Sequence, residues 1–472
     1  MALGVSFEPA PAELSTDPEP GTRLRRSAPL ILGLVFSLLY SLLSALRYYR
    51  FGDTSWDLGI FEEAVRHYAH FQAPIVDIKG PGFNILGDHF SPLLAILAPT
   101  YWIYPSAVSL LVAQGFLLGM SVVPIARAAV RALGFGSGIG IGIAYGLAWG
   151  LQRAADNTFH EVALAVPLLA LCLERLLDRR WKSAFLWCLP LVLVKEDLGL
   201  TVAAIGAYLI LQRQQRLGLA AVAFGTGMFA LTLEVLIPAM NPSHQYAYWN
   251  KVGSGGGMLS SVFNGADVKL DTLVVIFGVT GLLALRSPLS ILVLPTLGWR
   301  FVSTDTDYWG TAWHYNAVLM PIVFAALIDA IVKSKASEHR LLREYASHLV
   351  PVVVGIAVTF TLAGNLPLKD LTDSSSYSRG SRGPAELLAL SEIPDNASVE
   401  TNMTLISHLS GRCDVYWVGA AGNVVPEYVV LDLWAGWSSP INNPVGYAES
   451  LHAGVQYTMI SNDQGLAVMK QS

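Results

Sequence analysis

Five stretches of this sequence set ionisable residues against apolar runs, and each raises a question of chemistry. In "VLVKEDLGLT" (192–201) Lys195, Glu196 and Asp197 stand back to back. A lysine there can attract an anion, and either carboxylate can orient a metal ion or a sugar hydroxyl. The plainer reading is a polar turn whose Asp197 caps the following helix, although glycine, asparagine or serine is the commoner choice for a plain turn. In "NTFHEVALAVP" (157–167) Glu161 suits the first turn of a helix, while His160 can bind a phosphate oxygen or pair with a carboxylate. "NILGDHFSP" (84–92) puts Asp88 and His89 before another apolar run, with Asp88 or Ser91 available as a cap. "GTAWHYNAVLMP" (310–321) places His314 and Tyr315 near Trp309 and Trp313; interfacial aromatic belts account for the tryptophans better than for the histidine. The fifth, "TSWDLGIFEEAVRHYAH" (54–70), reads as a short amphipathic helix. Asp57 is there either a cap or a reactive carboxylate, and Glu62 and Glu63 read as solvated residues of the helix face.

Two chemistries find little support in the spacing. No H-x-x-x-H or H-x-x-E-H pattern exists for a metal site, and no G-x-S-x-G elbow exists for a serine hydrolase. Of the three cysteines, Cys172 and Cys188 fall in apolar runs and Cys413 near the C-terminus, which gives no disulfide framework. A net charge of −5 offers no argument for nucleic acid, and none is expected as a partner.

The elements that must position these residues are membrane helices. The chain has 472 residues, 53% apolar and 14% charged, where a soluble domain carries about 25% charged residues. Eleven spans fit best, at about 28–48, 92–126, 138–152, 162–177, 182–195, 198–212, 217–238, 271–286, 288–302, 315–333 and 347–364. The 92–126 run is too long for one crossing, and Pro99 and Pro105 predict a membrane-dipping piece at about 92–104 before a true span. Residues 1–26 read as a disordered cytosolic tail, because "TRLRR" directly precedes a full-length apolar segment rather than the short core of a cleavable signal.

Orientation follows from the basic residues. With the N-terminus inside, 16 of the 30 lysines and arginines fall in short cytosolic connections such as "ERLLDRRWK" and "QRQQR". All five stretches above then lie on the outer side, as does everything after residue 364. The transmembrane domain is 27–364, with a long first outer loop at 49–91; a second loop contains the flexible "GSGGG". A Ser/Gly-rich linker at 365–384 leads to residues 385–472, whose strand-like "YVVLDL" and "VQYTMIS" and helix-like "PAELLALSEI" and "AESLHAG" predict a small extracytoplasmic α/β domain. It has no glycine-rich phosphate loop, so no nucleotide is assigned to it.

At "WDLGIFEEAVRHYAH…GDHFSPLLAILAPTYWIYPS", "FHEVALAVPLLAL", "KEDLGLTV" and "HYNAVLMP" the chain resembles the predicted membrane-protein family called domain of unknown function 2079, from about residue 30 to residue 430. That family in turn resembles the GT-C class of membrane glycosyltransferases. The resemblance implies an all-α polytopic fold with a small outer domain, a polyprenyl-phosphate sugar as donor, and an envelope glycan, lipid or protein as acceptor. It implies a location in the plasma membrane, within the lipid bilayer. GT-C enzymes place the base that deprotonates the acceptor in the first outer loop, where Asp57 stands here; Glu196 and Asp197 loosely match a second acidic site. Lys195, His89, His160, His314 and Arg300 are then candidates for the phosphate, with Asp88, Glu161 and Tyr315 lining the same site. A divalent cation, Mg or Mn, would fall to Asp57, Glu196 and Asp197. Asp53 and Asp57 are four apart with no adjacent acidic pair, so the family's metal motif is not matched. Competing readings are a transporter or flippase, for which Glu234 inside the seventh span would speak, and a non-catalytic membrane scaffold.

Overall fold

The computed structural model describes residues 20–52, 56–251 and 261–472. The N-terminal tail before Pro20, Asp53 and the glycine-rich 253–257 lie outside them. Five helices are long and apolar enough to cross a membrane: Arg25–Tyr49, Ala107–Leu133, Gln215–Met240, His314–Lys335 and Arg340–Leu362. Shorter apolar helices accompany them at Pro92–Ile103, Trp181–Leu193, Leu198–Leu211 and Pro288–Val302. The long 92–126 run does break where its prolines predict, since a helix ends at Ile103 and the next begins at Ala107.

Close packing of these helices depends on small residues. α1 (Pro20–Tyr49) and α4 (Ala107–Met120), which precede and follow α2 (Asp57–Ala69) and α3 (Ala98–Ile103) in chain order, meet through Ser37 and Ser41 on one side and Gly119 and Gly115 on the other. The Ser37 hydroxyl donates to the Phe116 carbonyl at 3.1 Å and Ser41 to Val112 at 3.2 Å. Serines and glycines four apart let two backbones approach where lipid offers no hydrophobic drive. A Cβ on Gly119 would fall 2.1 Å from the Ser37 nitrogen. The chain continues through α5 (Val122–Leu133), α6 (Phe135–Gly146), α7 (Trp149–Asp156), α8 (Val162–Leu177), α9 (Trp181–Cys188), α10 (Leu198–Leu211) and α11 (Gln215–Leu231). α10 and α11 repeat the device, with Gly199 against Gly225 and Gly206 against Gly218.

The C-terminal region is a five-stranded sheet in the order β2-β1-β3-β5-β4, with β1 (Ser398–Thr401), β2 (Asp414–Trp417), β3 (Tyr428–Asp432), β4 (Tyr457–Asp463) and β5 (Leu466–Gln471). β1 is parallel to β2 and β3, and the last two strands join antiparallel. One face of the sheet packs on the helices Gly383–Ser391 and Met403–Leu409, and that core continues into the segment 49–91 through Phe51, Ile60, Ala64, Val76, Ile78 and Ile85. The domain is therefore seated on α2 by a shared core. That seating corrects the expectation for Glu62 and Glu63. Both are 1% exposed, because two segments close over this face of α2: Ser410, at the end of helix Met403–Leu409, donates to Glu62 at 2.5 Å, and the Ile78 backbone N–H, from the loop after α2, donates to Glu63 at 3.3 Å.

Candidate functional site

Asp57 begins α2 and Trp56 occupies the cap position, so the carboxylate lies in the first turn of the helix. Its side chain is 33% exposed, with Oδ2 3.6 Å from Nε2 of the buried His160. The His160 ring stacks on His314 with centroids 3.5 Å apart, and His314 Nδ1 meets the Asn157 amide at 3.3 Å. His160 Nδ1 lies 3.4 Å from the Thr158 carbonyl, an acceptor only. A proton on Nδ1 satisfies that carbonyl and leaves Nε2 as the ring nitrogen that faces Asp57.

Glu161, next in sequence, carries the network onward. Its Oε1 is 2.7 Å from the Lys195 ammonium. Glu196 Oε1 accepts from or pairs with His89 Nδ1 at 2.8 Å and accepts the Tyr246 hydroxyl at 3.2 Å, while Oε2 takes the Phe90 backbone N–H at 3.3 Å. Asp197 does not cap the following helix with its side chain. It accepts the Trp299 indole N–H at 2.9 Å instead, and its Oδ1 is buried without a hydrogen-bond partner among the described residues. Asp88 pairs with Lys79 at 2.5 Å. Burial opposes ionisation of Asp88, yet His89 and Lys79 outweigh it and hold its carboxyl below the ordinary range. Burial and Lys195 likewise oppose protonation of His89; Glu196 and Asp88 prevail and raise its pKa.

Arg300 is fully buried. Its Nε donates to the Tyr308 carbonyl at 2.7 Å, Nη2 to Gly310 at 2.7 Å and Nη1 to Asn316 Oδ1 at 2.8 Å. The guanidinium thus gathers the loop that presents His314 and Tyr315. Tyr315 packs edge-on against Trp299 and Tyr308.

Ends of five separate segments meet here, and Asp57, Asp88, His89, His160, Glu161, Lys195, Glu196 and His314 form one chain of contacts. Lys79, Asn157, Tyr246, Trp299 and Tyr248, whose ring stacks on His89 with centroids 4.8 Å apart, were not singled out in the sequence; "QYAYWN" carries an aromatic signal, and Lys79 none beyond its place between α2 and α3. Glu234 is exposed, in a π-helical turn outside this network. An apolar groove of about 490 Å³ lined by Leu97, Ile103, Val112 and Phe116 lies along α3 and α4, apart from these residues. Among the described residues no three histidine, cysteine or acidic side chains gather as metal ligands. Asp57, Glu196 and Asp197 do not form one set, since each is turned to a different partner, so no step is routed through a cation.

Comparison with known proteins adds three findings. The profile of "Predicted membrane protein (DUF2079)" matches residues 47–468. No curated protein matches the sequence. Among solved structures, ArnT from Cupriavidus metallidurans bound to undecaprenyl phosphate is similar at a TM-score of 0.58 and 14% identity, covering 94% of this chain and 98% of that one. Its apo form gives 0.51 and 12%, over 93% and 97%. The arabinosyltransferase EmbB from Mycobacterium smegmatis gives 0.38 and 12%, over 73% of this chain and 39% of that one, too loose a likeness to carry weight. The fold is ArnT-like.

Proposed function

From a chain that belongs to the DUF2079 family of predicted membrane proteins, with its site assembled around Asp57, we propose a GT-C-like, inverting membrane glycosyltransferase. It takes a sugar from a polyprenyl-phosphate donor on the outer side of the plasma membrane and passes it to an envelope glycan, lipid or protein. The Asp57 carboxylate takes the proton of the acceptor hydroxyl. The acceptor oxygen forms a bond to sugar C1 as the bond from C1 to the phosphate oxygen breaks, and polyprenyl phosphate leaves with the electron pair. Lys195 and protonated His89 stabilise the charge that develops on that phosphate, while Glu161 and Glu196 hold the two cations in place.

The observation that carries this reading is the placement of Asp57, one-third exposed against a buried histidine. A base must reach solvent-borne substrate and yet be fixed in direction. The undecaprenyl phosphate in the ArnT structure supports a polyprenyl-linked donor. Purified protein given radiolabelled polyprenyl-phosphate sugars and membrane-extract acceptors should transfer label, and Asp57→Asn should lower transfer by at least about a hundredfold. Equal transfer by both proteins would remove Asp57 from the role of base.

A further inference from the structure

The opposite ends of two site helices carry a different feature. α8 begins beside Glu161 and α10 beside Asp197. Their C-terminal ends lie roughly 24 and 21 Å away, at 1.5 Å per residue, on the other face of the membrane. Two turns leave between them a cavity of about 420 Å³, lined by Arg180, Trp181, Lys182, Ser183, Gln214 and Leu217.

The charge in this cavity is uncompensated. Carboxylates close by in sequence are already engaged: Glu174 with Arg127 at 2.7 Å and Arg131 at 2.9 Å, and Asp178 with Arg131 at 2.9 Å. Among the described residues none lies within ion-pair distance of Arg180 or Lys182, and both are exposed. The two turns are built alike. Arg179 and Arg213 sit at φ 56° and 62°, and the next N–H in each reaches back to close the helix, Arg180 to the Arg175 carbonyl and Gln214 to Leu209. Glycine adopts that conformation without strain, so arginine at both turns adds cations to this face at a conformational cost.

The apolar surroundings decide what kind of anion fits. Trp181 is half-buried against the helix core, as suits an indole at a membrane–water boundary. Deeper along the same helices, Leu186 on α9 and Leu219 on α11 are exposed. A phosphate in the cavity would thus have apolar surface running from it into the bilayer.

We infer that this cavity holds the phosphate headgroup of an anionic phospholipid, its acyl chains lying on α9 and α11. The test uses full-length protein, delipidated and offered mixed phosphatidylglycerol and phosphatidylcholine vesicles of matched chains, with retained lipid read by native mass spectrometry. Wild type should retain phosphatidylglycerol at least tenfold over phosphatidylcholine. Arg180→Gln with Lys182→Gln should bring that ratio near one, and the charge-preserving Arg180→Lys with Lys182→Arg should keep it. No preference in wild type, retention of the preference by the glutamine pair, or loss of it by both pairs overturns the inference. Full displacement by millimolar inorganic phosphate overturns the lipid assignment in favour of a soluble phosphate. The readout involves no sugar transfer, so it stands or falls separately from Asp57.

Discussion

Glu62 offers a direct measurement of how the C-terminal domain is held on α2. Its carboxyl is buried between α2 and Ser410, and burial pushes it from the ordinary 4.5 up to about 7; Ser410 and Arg66 pull it down without prevailing. The sign follows from linkage. The seated domain binds this proton more tightly than the open one does. Its stabilising contribution is complete below pH of about 4.5 and is lost as pH rises through about 7. A rise of that size corresponds to about 3 kcal/mol, or roughly two orders of magnitude in the opening equilibrium.

Cys413 supplies the assay, since it is a free, buried thiol in the core the domain shares with the segment 49–91. With Cys172 and Cys188 replaced by alanine, the rate of maleimide labelling at Cys413 follows the fraction of open domain. Glu62→Gln keeps an acceptor for Ser410 and cannot ionise. Dividing the wild-type rate by the Glu62→Gln rate cancels the pH dependence of the thiol itself. This quotient should climb roughly a hundredfold between pH 5 and pH 8. A flat quotient would show that Glu62 is not buried on seating, and the account of the domain interface would fall with it.

Two further outcomes follow from packing. Gly119→Val drives a side chain into the Ser37 backbone, where a Cβ already meets nitrogen at 2.1 Å; a loss of about 3 kcal/mol or more is expected, read as a lower melting temperature in detergent. Gly227→Val, with nothing within 4 Å of its Cβ, should melt like wild type, and equal melting of the two variants would refute the α1–α4 contact. Arg300→Lys keeps the charge but cannot serve the Tyr308, Gly310 and Asn316 oxygens together. Hydrogen exchange over 308–316 should quicken by about tenfold or more, since each lost bond to a charged donor is worth about 1.5–3 kcal/mol; unchanged exchange would deny Arg300 its hold on that loop.

How much of this was legible beforehand depends on the range of the forces involved. Apolar length marked the long helices, and the prolines marked the break before Ala107, because both are local properties of the chain. Strands β3 and β4 and the helices at Gly383–Ser391 and Pro444–Leu451 showed in the same way. β1, β2 and β5 did not: β1 and β2 are four residues long, and in β5 Leu466 to Met469 are all buried, so no alternation marks it. In the site, residue type singled out His160 and Lys195, but pairing was invisible. Nothing local says that Lys195 turns to Glu161 while Glu196 turns to His89. The burial of Glu62 and Glu63 escapes local reading for the same reason: Ser410, which covers Glu62, lies 348 residues later in the chain, and Ile78, which covers Glu63, sits on a loop that folds back over α2.

That long reach bears on Asp57 as well. Asp57 stands in the first turn of α2, so its direction is only as fixed as the helix. α2 has 13 residues, and an isolated helix of that length is marginal in water. Contacts from both sides keep it in place: on the helix bundle, His160 beside Asp57, Phe159 edge-on against Phe61 and Trp102, whose indole N–H donates to the Ala69 carbonyl at 2.7 Å; on the C-terminal domain, Ile406 against Gly59 and Ser410 on Glu62. Trp56, just before Asp57, packs against Trp417 at 4.9 Å, so the domain also clamps the entry to the helix. Loosening the domain should therefore misplace the carboxylate without touching it. The C-terminal domain acts on Asp57 through the helix it covers.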